Sequence, residues 1–180
     1  SGLYPLELPS RLGLEGSAVI TDLGKDVDGF NLGDRVTYVG LPIGAYSEQR
    51  NYPANALVKI PESISNEFAA ASMLKGLTAW YLANKSYPIK IGDNILIYAA
   101  AGGVGLFLSQ WAKHLGARVI GVVSTSEKAE LAQLNGCSEI IYADDKKLVQ
   151  KTKELTDGEG VAAVYDSVGK DTFYQSLDSM

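Results

Sequence analysis

The sequence predicts an α/β fold, a doubly wound parallel sheet preceded by part of an all-β barrel or sandwich. Three observations carry this prediction. Residues 1 to about 62 form short segments punctuated by Gly, Pro and Asp. From about Ser65 onward, strand-like and helix-like segments alternate. A glycine-rich turn, Ala100-Ala101-Gly102-Gly103-Val104-Gly105, joins an apolar strand to an amphipathic helix. Short apolar strands separated by helices imply a parallel sheet covered on both faces.

In the first part, 17–23, 35–39, 45–50 and 57–60 read as strands. Pro5, Pro9, Pro42, Pro53 and Pro61 mark the turns between segments. Tyr46 falls in a strand-like stretch and is expected in the core. Asp34 and Arg35 are expected to form a local ion pair in a barrel turn.

Two helices follow, 65–72 and 76–84, both rich in Ala and Leu. Gly92-Asp93 is a turn that opens the apolar strand 94–99. Strands are then expected at 117–123, 139–142 and 161–165, with helices at 103–115, 127–135, 146–155 and 171–180. Val104, Leu108, Trp111, Ala112 and Leu115 recur at helical spacing and predict one buried face. Gly116 stands where a C-terminal cap belongs. Ser124 and Glu127 have the spacing of a capping box.

The net charge is −5 and the acidic residues are dispersed. Binding nucleic acid needs clustered Lys and Arg, so no nucleic-acid partner is expected. No apolar run reaches the ~18 residues of a membrane span, and the opening residues lack a signal-peptide layout. The single cysteine, Cys137, excludes an internal disulfide and fits a reducing cytoplasm. A catalytic zinc needs about three protein ligands. One Cys and one His cannot supply the usual set, so no metal is expected. His114 is expected to interact with the C-terminus of its helix. Cys137 is expected to be a partly buried small residue.

The turn 100–105 is a G-x-G-x-x-G pattern whose first glycine is Ala100. Gly102 lets backbone approach a pyrophosphate, and Gly105 lets the helix pack close to the strand. The helix N-terminus then faces the phosphates. This is the dinucleotide-binding (Rossmann) arrangement. An NAD site places Asp or Glu near the end of the second strand, to bond the ribose. Here that point reads Val123-Ser124-Thr125-Ser126, with Lys128 beyond. Hydroxyls and a cation suit a 2′-phosphate, so the expected cofactor is NADPH. The alternative for Lys128 is an exposed helix lysine. Ser167, after the fourth strand, either touches the ribose or nicotinamide side or only shapes a turn.

At these residues the chain resembles the zeta-crystallin-like quinone oxidoreductases of the medium-chain dehydrogenase/reductase superfamily. The matching segments are Gly33–Val36, Gly44–Glu48, Leu74–Ala79, Ala99–Gly105, Gln110–Lys113 and Val164–Thr172. The resemblance implies a GroES-like domain (1–75, partial) and a Rossmann NADPH-binding domain (76–180). The second of these stops after four strands, short of the usual six. It implies a longer protein of which this chain matches a central piece. It also implies that Gly103, Val104 and Gly105 line the pyrophosphate, and that Ser124 and Lys128 hold the adenosine phosphate. Thr78, Tyr142 and Ser167 match further cofactor positions, and Tyr4 matches a substrate-mouth tyrosine. The homodimer of the full-length protein is an implication of the same kind. Zinc-dependent relatives carry Gly-His-Glu where this chain has Gly13-Leu14-Glu15, and Leu14 cannot ligate a metal.

The expected activity is zinc-independent transfer of reducing equivalents from NADPH to a quinone. A quinone needs no Lewis acid to accept hydride, whereas a simple carbonyl does. Tyr4 is a hydrogen-bond donor to the acceptor or a packing residue. Two alternatives stand: an enone or enoyl reductase using NADPH, and a non-catalytic, crystallin-like NADPH-binding protein.

Overall fold

The computed structural model describes residues 7–180, which divide into two compact units at Leu74 and Lys75. In the first unit β1 (Glu15–Val19), β2 (Arg35–Val39) and β3 (Val58–Lys59) form an antiparallel sheet in that order. Glu15 pairs with Val39 and Val19 with Arg35. Val36, Thr37 and Tyr38 are buried in the central strand.

Three expectations change here. The first strand ends at Val19, not at residue 23, because the chain leaves the ladder for a turn in which Val27 N–H reaches Gly24. Residues 45–50 form no strand. The N–H groups of Gly44 and Ala45 bond the Gly13 carbonyl and that of Tyr46 bonds Leu12, so the segment hooks onto 12–13. Tyr46 is therefore 81% exposed, outside any core. Asp34 and Arg35 also separate. Asp34 pairs with Lys59 at 2.7 Å, while Arg35 bonds Asn66 Oδ1 at 2.8 Å and the Ile64 carbonyl. Neighbouring strand residues point to opposite faces, which parts the two side chains.

The two expected helices are one, α1 (Asn66–Tyr81), continuing into a π-type turn at Leu82–Ser86. Ser65 caps it by accepting the Phe68 N–H at 3.1 Å. Gly76 costs some helix propensity but does not break the ladder, since it keeps a negative φ.

The second unit holds a four-stranded parallel sheet. Its strands are β4 (Asn94–Tyr98), β5 (Arg118–Val123), β6 (Glu139–Tyr142) and β7 (Ala163–Tyr165), in the order β6-β5-β4-β7. Four helices alternate with them: α2 (Gly103–His114), α3 (Ser126–Leu134), α4 (Leu148–Leu155) and α5 (Phe173–Asp178). Ile95, Ile97 and Val119 pack with Leu108, Ala112, Ala129 and Ala132 on one face. Leu96, Tyr98, Ile120, Val122 and Ile141 pack with Leu148 on the other. Fully burying an aliphatic side chain contributes about 1.5–3 kcal/mol, so these two layers hold the unit together. Trp111, expected on the inward face of α2, is 36% exposed. The inward residues are Gly105, Leu108, Ser109 and Ala112, which turns Trp111 outward.

The architecture is an α/β fold with a Rossmann-type parallel sheet. Among the described residues no helix is long and apolar enough to cross a membrane. The strand order reverses at β4, with β5 on one side and β7 on the other. In open α/β sheets ligands bind at the carboxyl end of such a switch point.

Candidate functional site

The chain leaves β4 through a tight turn. Ala99 takes a left-handed φ of +48°, and its carbonyl accepts the Gly102 N–H at 2.7 Å. Gly102 is the N-cap of α2 and supplies no side-chain cap. The first N–H groups of a helix have no partners within it and carry its positive dipole end. Here a glycine cap leaves room for a ligand to reach them.

The three glycines differ in what demands them. A Cβ on Gly105 would stand 2.4 Å from the Ala99 carbonyl oxygen and 2.7 Å from that of Ala100. Backbone meets backbone there, so close packing of helix on strand requires glycine. A Cβ on Gly102 would stand 3.0 Å from the Ala99 oxygen. At Gly103 the nearest atom is Lys75 Cδ at 2.7 Å, part of a flexible stem lying over the turn.

Two clefts share Tyr98, Ala99 and Gly102. The larger, about 500 Å³, reaches toward β7 and the π-type turn and includes Gly103, Val104, Gly105, Tyr165 and Ser167. The smaller, about 280 Å³, reaches past the end of β5 to Ser124, Lys128, Ala143 and Val168. They lie on the two sides of β4, as the two halves of a dinucleotide would. A third cleft, about 590 Å³, lies in the first unit beside Tyr38, Arg50 and Tyr52. Arg50 stacks over both rings and bonds the Pro42 carbonyl at 2.7 Å. Its lining includes no α-helix N-terminus and no glycine-rich turn, so it is not the better candidate.

In the smaller cleft the Lys128 ammonium donates to the Ser124 hydroxyl at 3.0 Å. The capping-box expectation changes here. Thr125, not Ser124, caps α3 by accepting the Lys128 N–H at 3.3 Å. Ser124 is thereby left facing the cleft. The Glu127 carboxylate is held below its usual pKa by its own N–H and by the hydroxyls of Thr125 and Ser126. It is turned into the start of α3 and does not line the cleft.

Tyr165, in the wall of the larger cleft, donates to the carbonyls of Leu82 and Tyr87 at 3.3 Å each. Burial pushes its pKa up to about 12, with Tyr87 and the Asp93 carboxylate adding to the shift. Tyr98 is only 4% exposed, and burial pushes its hydroxyl pKa up, with the Ser176 hydroxyl opposing.

Of the residues singled out in the sequence, Gly102, Gly103, Val104, Gly105 and Ser167 meet at the larger cleft, and Ser124 and Lys128 at the smaller. Thr78, on α1, and Tyr142, exposed at the end of β6, line neither. Tyr4 lies outside the described residues. The sequence pattern gave no role to Tyr98, Ala99 and Tyr165, and placed Asp166 only beside Ser167 at the end of the fourth strand. Their common signal is position at the carboxyl ends of β4 and β7, which becomes visible only once strand order is known. Cys137 is buried with its thiol 3.4 Å from the Ser109 hydroxyl, and His114 ends α2 exposed. Among the described residues no group of three or more His, Cys, Asp or Glu is placed to hold a metal.

Residues 103–180 match the family model of zinc-binding dehydrogenases, and residues 1–62 that of the alcohol dehydrogenase GroES-like domain. The chain is 50% identical over 179 residues to a quinone oxidoreductase of Pseudomonas aeruginosa, covering 99% of this chain and 55% of that protein. It is 46% identical over 176 residues to a 2-haloacrylate reductase of a Burkholderia species, covering 97% of this chain and 53% of that protein. Among solved structures it is similar to Escherichia coli quinone oxidoreductase complexed with NADPH. The TM-score is 0.95 at 47% identity, covering 99% of this chain and 55% of that one. The chain spans about half the length of the curated relatives it matches.

Proposed function

The chain belongs to the medium-chain dehydrogenase/reductase superfamily, with quinone oxidoreductases among its relatives, and from this we propose that it binds NADPH and serves reduction of a quinone. The observation that carries the cofactor reading is the Lys128–Ser124 pair at the end of β5, beside an uncapped helix N-terminus. A cation and a hydroxyl recognise a phosphate, whereas the carboxylate that would hold a free ribose is absent from that cleft.

In this reading Gly102, Gly103, Val104 and Gly105 receive the pyrophosphate. Ser124 and Lys128 hold the 2′-phosphate, and Ser167 touches the ribose or nicotinamide side. Thr78 and Tyr142 are further cofactor contacts, and Tyr4 stands at the substrate mouth. When bound, the nicotinamide supplies the hydride. The protein's part is to orient the ring in the larger cleft and to keep that cleft dry, which Tyr165 and Leu108 favour. We assign residues 1–75 to a GroES-like domain and 76–180 to the NADPH-binding domain. Homodimerisation of the whole protein and a cytoplasmic location belong to the same proposal. A zinc-independent course fits Leu14 and the single cysteine and histidine of the sequence.

A second reading, reduction of an activated alkene, is favoured by the similarity to a 2-haloacrylate reductase. The test is a fluorescence titration with NADPH and NADH, followed by turnover of a quinone against an enone. Preference for NADH refutes the cofactor reading. Faster turnover of the enone selects the second reading, and NADPH binding without turnover of either selects a non-catalytic binder.

A further inference from the structure

We infer that Asp166 is a positioning residue for both clefts: its carboxylate locks the turn that presents Ser167 to the larger cleft and Val168 to the smaller. The inference rests on the NADPH reading above.

Asp166 follows β7, where the chain must turn into α5. Its Oδ1 accepts the N–H groups of Val168 at 2.8 Å and Gly169 at 3.0 Å. Its Oδ2 accepts the hydroxyls of Thr172 at 2.6 Å and Ser176 at 2.8 Å. One carboxylate thus ties the turn to itself and to α5. All four donors are neutral groups, and hydrogen bonds to an ionised acceptor are roughly twice as strong as neutral ones. Burial acts to raise the Asp166 pKa, but these four bonds outweigh it and hold the group below the usual carboxylate value.

Two features separate this clamp from ordinary scaffolding. The turn residues that the clamp holds, Ser167 and Val168, are both exposed, and each lines one of the clefts. Neither packed layer of the sheet includes residues 166–169. Loosening the turn therefore disturbs the ligand surface while leaving the core in place. An ordered turn also spares a ligand the entropic cost of ordering it on binding.

The test uses the full chain carrying Asp166→Ala. Without nucleotide, amide hydrogen exchange should show lost protection at Val168 and Gly169, with the strands of the sheet unchanged. The NADPH Kd should rise about ten-fold or more, and in turnover KM for NADPH should rise more than kcat falls. Asp166→Asn keeps an acceptor for the two backbone N–H groups and should recover part of both effects. Retained protection overturns the clamp, and lost protection with unchanged affinity overturns the positioning role. If the unaltered chain fails to bind NADPH, the cofactor reading is refuted, and the exchange measurement still decides the clamp. If Asp166→Ala does not fold, Thr172→Val removes one donor. It should give a smaller change of the same kind confined to 166–172, and no change there overturns the inference.

Discussion

Lys128 reaches back across the first turn of α3 to place its ammonium 3.0 Å from the Ser124 hydroxyl. Ser124 lies just before the Thr125 cap and Lys128 in the first turn, and both line the smaller cleft. Lys128→Ala should weaken NADPH by about 1–3 kcal/mol, roughly five- to 150-fold in Kd, and leave NADH nearly unchanged. Equal losses for both nucleotides in a fluorescence titration would reject a 2′-phosphate role.

Gly105 and Gly103 should separate sharply on substitution. Gly105→Val drives a side chain into the carbonyls of Ala99 and Ala100. It should cost about 3 kcal/mol or more and abolish NADPH binding. Gly103→Ala meets only the Lys75 stem and should stay within about 1 kcal/mol. Thermal denaturation of both variants checks this, and similar melting temperatures would show that the backbone contact is not what Gly105 serves.

Burial pushes the Cys137 thiol pKa up, with the Ser109 hydrogen bond opposing. A buried thiol with little thiolate reacts slowly. Alkylation at pH 8 should be about ten-fold or more slower in the native chain than in denaturant. Equal rates would place Cys137 at the surface.

Tyr165 gives a pH prediction with a definite sign. Its folded pKa, raised to about 12, lies above the ordinary value of 10.0. Between these values the folded state keeps a proton that the unfolded state releases. The Tyr165 contribution is therefore complete below about pH 10 and declines as pH rises toward 12. Tyr165→Phe should flatten this alkaline decline in urea denaturation, and an unchanged slope would assign the decline to other groups.

Local pattern was enough for much of the architecture. The apolar run 94–99, the glycine turn and the amphipathic helix after it are all contiguous in sequence. Their geometry follows from strand pleat, helix period and the freedom of glycine. The run at 139–142 likewise appears as β6 with the same bounds. The hydroxyl-and-lysine cluster at 124–128 was also legible, because its members lie within five consecutive residues.

Other features depended on partners distant in the chain. Whether 45–50 paired as a strand hinged on Leu12 and Gly13, whose carbonyls took its N–H groups. Asp34 found Lys59, and not its neighbour Arg35, because the β2–β3 pairing brought that lysine alongside. Asp166, Tyr98 and Tyr165 gained their places only when β7 docked beside β4. Sequence alone determined the alternating strands and helices of the second unit and its glycine turn, since both arise from interactions over a few residues. The tertiary structure decided which strand ends meet, and with them the cleft walls, because strand order is set by long-range packing that no local pattern encodes.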